Sequence, residues 1–215
     1  MRTTPIVPGR EAAPELRALL TELLGLFYTK NWVSGTGGSI CATTPDGGLW
    51  LAPSGVHKER VSPRDFFLVE VATGRVLAGP EGPGLRPSEC GPIFRAAIRR
   101  RGAGAVMHSH ALSAVLAADL AQGDAVVFER LEMLKGISGV AYRDRHAVPV
   151  IANTDREADL VHQAEAVLAD ERFGASHCIL VRDHGAYIWG ADAWETKRHA
   201  EIYHFLFEAA RARQR

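Results

Sequence analysis

Cysteine is scarce in this 215-residue chain. Cys41, Cys90 and Cys178 are odd in number, widely separated and without a CxxC pair, which argues against a disulfide framework and against a thiolate zinc knot. Cys41 and Cys178 read as buried small hydrophobes, which leaves Cys90 for closer attention. Long apolar runs are missing as well. No segment approaches the ~18 apolar residues of a membrane span, and MRTTPIVPGREAAPELRALL lacks the uninterrupted apolar core of a secretory signal. No membrane partner is expected, and a cytoplasmic location is. Nor is there a surplus of charge: 25 Lys and Arg balance 25 Asp and Glu. No nucleic acid partner is therefore expected, and any anionic ligand must be held by local groups. Repeats, linkers and low-complexity stretches are lacking too, so residues 1–215 should form a single domain.

What is present is a regular alternation of helix and strand signals. Leu16, Leu19, Leu20, Leu23, Leu24 and Phe27 recur at helical spacing, with Pro14 suited to the first turn. SICATT, LWLAPSG, DFFLVEV and RVLAG follow as short strands of an antiparallel sheet. A helix starts at Pro92 and runs through IFRAAIRRR, and the glycines of RGAGAV end it. The second half predicts a helix near 111–121, strands VVFERLEML and AVPVIAN, and a helix with Leu160, Val161, Ala164, Val167 and Leu168 on one face. Asn153 or Thr154 is suited to cap that helix. CILVRDHGAYIWG reads as a hairpin hinged at Asp183, His184 and Gly185, and a last helix should turn Trp194, Ile202, Phe205, Leu206 and Ala209 inward. A sheet covered by helices is the expected architecture.

Against this frame a few residues carry chemical interest. His108 and His110, in GAVMHSHALSAV, lie one residue apart at the end of an apolar run. On a strand they stand on the same face with Cα atoms roughly 7 Å apart, a spacing that suits one shared metal ion or two polar side chains closing a strand. A catalytic zinc site of three protein ligands needs a third, and His184 at the hairpin tip is the best placed of the remaining histidines. SGTGGS (34–39) and APSGVHKER offer clustered backbone N–H groups and hydroxyls, either as plain turns or as an anion cradle. Glu132, between Leu131 and Met133, would have its neutral form favoured if buried, or would lie on the solvent face of a strand with Lys135 as salt-bridge partner.

The order SGTGGS, LAPSGVHKER, PSECGPIF, AVMHSHA, ERLEMLKG, VRDHGAYIWG resembles the class II aldolase superfamily, over about residues 15–210. The His-x-His strand and the histidine of RDHG are marks of the whole superfamily; EMLKG and the Cys of PSEC are marks of its dehydratase branch. The resemblance implies an α/β fold, a three-layer α/β/α sandwich with a largely antiparallel central sheet, assembled as a homotetramer with sites near subunit interfaces. It implies one Zn2+ per subunit held by His108, His110 and His184, with Glu132 as the acid/base group. Cys90 stands where the sugar-phosphate aldolases carry a Glu that acts as base and reaches the metal, a departure that disfavours aldolase chemistry. Cys90 thus joins the substrate-binding set, in which Gly37, Gly38, Ser54, Gly55 and Ser88 match positions that hold the substrate phosphate in relatives. The implied reaction is zinc-dependent dehydration of a small-molecule sugar phosphate, 5-methylthioribulose 1-phosphate, to 2,3-diketo-5-methylthiopentyl 1-phosphate in methionine salvage. The alternatives are an aldolase or epimerase acting on another sugar phosphate, and a non-catalytic, zinc-stabilised scaffold. Three ligands without a fourth protein thiolate argue against the scaffold, because structural zinc sites are usually closed by four protein ligands.

Overall fold

The structure, a computed structural model, describes residues 13–80 and 84–213. The first helix, α1 (Ala13–Thr29), buries Leu19, Leu20, Leu23, Leu24 and Phe27, the stripe expected from their spacing. Strands β1 (Ser39–Thr43), β2 (Gly48–Leu51), β3 (Phe67–Glu70) and β4 (Val76–Ala78) form an antiparallel meander. Helix α2 (Gly91–Arg101) has Pro92 in its first turn, where a missing N–H costs nothing, and stops at Gly102, whose φ of 63° places it in the left-handed region.

After β5 (Ala105–Ser109) come α3 (Leu112–Ala118), β6 (Ala125–Phe128), β7 (His146–Ile151), α4 (Val161–Ala169), β8 (Cys178–Val181), β9 (Gly185–Gly190) and α5 (Ala193–Ala212). The nine strands make one sheet in the order β4-β3-β2-β1-β5-β9-β8-β7-β6. Only β7 and β8 pair in parallel, so the sheet is mixed but mostly antiparallel. Along the central strands alternate residues enter different cores. Ala105, Met107, Ala186 and Ile188 belong to one cluster, with α1, α3 and α5; Val106, Tyr187 and Trp189 belong to the other, with α2 and α4. This is the period-two pattern of strands buried on both faces. Cys41 and Cys178 are buried and free, in keeping with their reading as small hydrophobes.

Four expectations are corrected. The run VVFERLEML is strand only as far as Phe128. Arg130 then takes a positive φ of 55°, and Glu132–Gly136 form a 3-10 turn. A positive φ at Arg cannot continue a strand. Asn153 and Thr154 do not cap α4, because a 3-10 turn over Glu157–Leu160 intervenes and Leu160 precedes the helix. Helix α3 is also shorter than 111–121. On α5, Phe205 faces outward while Phe207 is fully buried.

Candidate active site

β5 is the middle strand of the sheet, and its register sets the site. His108 pairs with Ser39 of β1 on one side and with Tyr187 of β9 on the other. The hairpin between β8 and β9 brings His184 to the same end of the sheet. There Gly185 has no room for a side chain: a Cβ would meet the Ser109 carbonyl oxygen at 1.9 Å. The three imidazoles converge through their Nε2 atoms, with His108 and His110 2.8 Å apart and His184 3.1 Å from each.

Their outer nitrogens define the protonation. His108 Nδ1–H donates to the Ala186 carbonyl at 3.1 Å, and His184 Nδ1–H donates to Asn153 Oδ1 at 3.1 Å. Both Nε2 atoms therefore present lone pairs to each other, an arrangement that is repulsive without a cation between them. Burial pushes the imidazolium form of His108 far out of reach, with the neighbouring His110 and His184 adding to the effect. Burial and then His184 bring His110 down to about 4, and burial lowers His184. Three imidazoles that converge through Nε2, two of them with lone pairs fixed inward, fit a divalent cation.

The triad opens onto a cavity of about 230 Å³ lined by Gly37, Gly38, Ser54, Gly55, Lys58, Ser88, Cys90 and Glu157, among others. Every glycine and serine assigned to the substrate from sequence is there, as is Cys90. Gly37 has a further role: a Cβ on it would lie 2.5 Å from His110 Nδ1, so the missing side chain makes room for that ring. Gly38, with a φ of 74°, packs against Val33 and the His108 carbonyl. The Cys90 backbone N–H donates to Ser88 Oγ at 3.3 Å, and burial, then Glu157, pushes its thiol well above the usual range.

Glu132 is not brought to this cavity. Its side chain is 73% exposed and its Oε1 accepts from Lys135 Nζ at 2.7 Å, so of the two expected placements the structure has the one in solvent, with Lys135 as ion-pair partner. The turn that carries it is held firmly beneath: Leu134 is buried, a Cβ on Gly136 would meet Ile202 Cδ1 at 2.3 Å, and Ser138 N–H donates to His199 Nε2 at 3.2 Å.

Sequence reasoning missed four residues here. Glu157 lies in the segment read as a helix approach, and its Oε1 is 3.4 Å from His108 Nε2 while accepting from the Tyr187 hydroxyl. The Tyr187 ring stacks on His108 at 4.1 Å and 9°. Asn153, expected as a cap, orients His184 instead. Lys58 lay in a stretch singled out for its glycine and serine, and it is fully buried.

Three histidines within reach of one ion, at the end of a helix-covered sheet, define a candidate metal-binding α/β protein. The chain belongs to the family of the class II aldolase and adducin N-terminal domain, whose pattern matches residues 18–210. Within that family it is 42% identical to a methylthioribulose-1-phosphate dehydratase of Osmerus mordax, over 90% of this chain and 82% of the relative. It is 43% identical to a probable bifunctional methylthioribulose-1-phosphate dehydratase/enolase-phosphatase E1 of Oryza sativa subsp. indica, over 93% of this chain but 40% of the relative. The chain thus spans about two fifths of the length of such bifunctional relatives. The L-fuculose-1-phosphate aldolase of Thermus thermophilus shares the fold, with a TM-score of 0.70, 22% identity, and coverage of 93% of this chain and 95% of that one.

Proposed function

We propose that this protein is a hydro-lyase that converts 5-methylthioribulose 1-phosphate to 2,3-diketo-5-methylthiopentyl 1-phosphate, a step of methionine salvage. The reaction removes the C3 proton and the C4 hydroxyl, which leave together as water. The observation that carries this reading is the convergence of His108, His110 and His184 through their Nε2 atoms beside a cavity that Cys90 lines; the resemblance puts Cys90 where the aldolases carry their base glutamate. Those three side chains would hold one Zn2+ per subunit. When bound, zinc supplies Lewis acidity toward the negative charge that develops on the substrate C2 oxygen as the C3 proton departs.

The chain's own groups do the rest. Ser54, Ser88 and the backbone N–H groups at Gly37, Gly38 and Gly55 position the phosphate away from the carbons that react. The Cys90 thiol, buried and protonated, lines the cavity without competing as a base. Glu132 takes the C3 proton and returns it to the departing C4 hydroxyl. Because Glu132 does not line the cavity of its own chain and stands exposed beside Met133, itself 38% exposed, it serves the site of a neighbouring copy in a homotetramer. The subunit is a three-layer α/β/α sandwich. No helix among the described residues is long and apolar enough to cross a membrane.

A second reading assigns proton transfer to Glu157, favoured by its place 3.4 Å from His108 Nε2 inside the cavity. Turnover of methylthioribulose phosphate, compared with a short-chain ketose phosphate, tests the reaction and its aldolase alternative. Glu132→Gln should keep zinc and substrate affinity and lose ~10²-fold or more in turnover. Mixing it with His184→Ala subunits should restore activity if the site is shared. Near-normal turnover by Glu132→Gln would remove Glu132 from the mechanism and leave Glu157.

A further inference from the structure

Lys58 is 1% exposed, the most completely buried charged side chain in the molecule's described part. It sits at the start of a 3-10 turn (Lys58–Arg60) and lines the cavity next to Ser54, Gly55 and Ser88. Its Nζ donates to the Thr36 carbonyl at 2.7 Å and to the Val56 carbonyl at 2.9 Å. Thr36 lies in SGTGGS and Val56 in APSGVHKER, so one ammonium group joins the two glycine-rich loops.

Holding two carbonyls together does not require a charge. A buried ammonium costs several kcal/mol of desolvation unless an opposite charge faces it. The ion-paired lysines among the described residues are Lys135 and Lys197, both partly exposed; Lys58 has no carboxylate partner there. Burial lowers its pKa, and the carboxylates of Glu59 and Glu157, which favour the charged form, do not outweigh it. Two of its three N–H groups are used, and one remains. The surrounding groups match a phosphate: Ser54 and Ser88 supply hydroxyls, and Ser88 is itself only 8% exposed. Ser54 N–H donates to the Arg86 carbonyl at 2.8 Å and Ser88 N–H to the Ala52 carbonyl at 3.1 Å, which ties the segments bearing the two hydroxyls to each other.

We propose that Lys58 is the cation of the substrate's phosphate subsite, its remaining N–H donating to a phosphate oxygen while the other two hold the loops that supply the backbone donors. This deepens the functional reading above and rests on it for the identity of the phosphate ester. The dianion gives the buried ammonium its missing counter-charge, so loop order and anion binding are coupled. Sequence reasoning placed the phosphate on glycines and serines alone, which offer only neutral donors.

The test uses inorganic phosphate as probe, with and without added zinc, on Lys58→Gln and Lys58→Met. Gln keeps N–H donors for the two carbonyls and removes the charge; Met removes both. Lys58→Gln should remain folded by circular dichroism and bind phosphate about tenfold or more weakly, the scale of a charge-assisted hydrogen bond. With substrate, the loss should fall on kcat/KM and be larger for the phosphorylated compound than for unphosphorylated methylthioribulose. Wild-type phosphate affinity in Lys58→Gln would reduce Lys58 to a loop staple and overturn the proposal. Should both variants unfold, the Lys58 15Nζ resonance of the wild-type protein decides: a shift on phosphate addition supports the contact, and none at saturation refutes it. Phosphate binding that depends on Lys58 in a protein that does not dehydrate methylthioribulose phosphate would keep this inference and refute the functional one.

Discussion

Gly37→Ala isolates the packing that aims His110. The added Cβ would lie 2.5 Å from His110 Nδ1 and 3.0 Å from its Cε1, whereas ordinary van der Waals contact begins near 3.4 Å. The ring must therefore move by about 0.9 Å, while metal–ligand distances tolerate only ~0.2 Å. It cannot retreat toward its partners, because His110 Nε2 is already 2.8 Å from His108 Nε2. His110 closes the triad from the cavity side and keeps an open face there, so its ring has room to swing away from the shared point. The fold should survive for that reason, with unfolding free energy changed by no more than ~1 kcal/mol. Metal affinity should fall by about 10- to 100-fold, the scale found when the groups that orient a ligand are disturbed. Gly55→Ala serves as control: its φ of 66° makes a side chain strained, but nothing lies within 4 Å of the added Cβ, so zinc should be retained. Competition with a chromogenic chelator measures both affinities, and urea unfolding measures both stabilities. Wild-type zinc affinity in Gly37→Ala would mean that His110 is not held by this contact or is not a ligand.

His184→Ala, with the other two histidines intact, should lose zinc on dialysis, and metal analysis that found full occupancy would return His184 to the role of a turn residue. Gly136→Ala should destabilise the turn bearing Glu132, since the new Cβ would meet Ile202 Cδ1 at 2.3 Å. Combining it with Ile202→Val, which deletes that atom, should recover part of the loss in a double-mutant cycle, and simple additivity would refute the contact. Three histidines away from the triad give the pH dependence. Burial first brings His146 and His199 down to about 4 and His204 to about 3, from 6.5 when unfolded. Between those values the unfolded chain binds more protons than the folded one, so stability is full above about 6.5 and declines as pH falls toward 4. Urea midpoints measured with chelator present at pH 7 and pH 5 should differ in that direction, and equal midpoints would contradict it.

The His-x-His pair was legible because its geometry is local. Two residues one apart on a strand share a face whatever the strand packs against, and the helical stripe of α1 and the β8–β9 hairpin are likewise properties of short segments. Cys90, Ser88 and the glycines came from motif order, and they do line one cavity. The strand expected through Glu132 stops early for a local reason. Arg130 is no turn former, so nothing in VVFERLEML announced the left-handed residue that ends β6 and turns the glutamate into solvent. Phe205 was set inward and Phe207 passed over because helical spacing alone cannot choose between adjacent faces when both carry apolar residues.

The amino-acid sequence by itself determined the alternation of elements, the pair of histidines and the family they mark, since each is written in spacing over a few residues. Tertiary structure alone decided what surrounds them. The register of β5 against β9 brings His184 to His110 across 74 positions and stacks Tyr187 on His108, and the 3-10 turn that follows β7 sets Glu157 against both. A side chain's burial is a property of every element packed around it. Lys58 is an ordinary charged residue in APSGVHKER until two loops close over it, and only then does its ammonium lack a counter-charge.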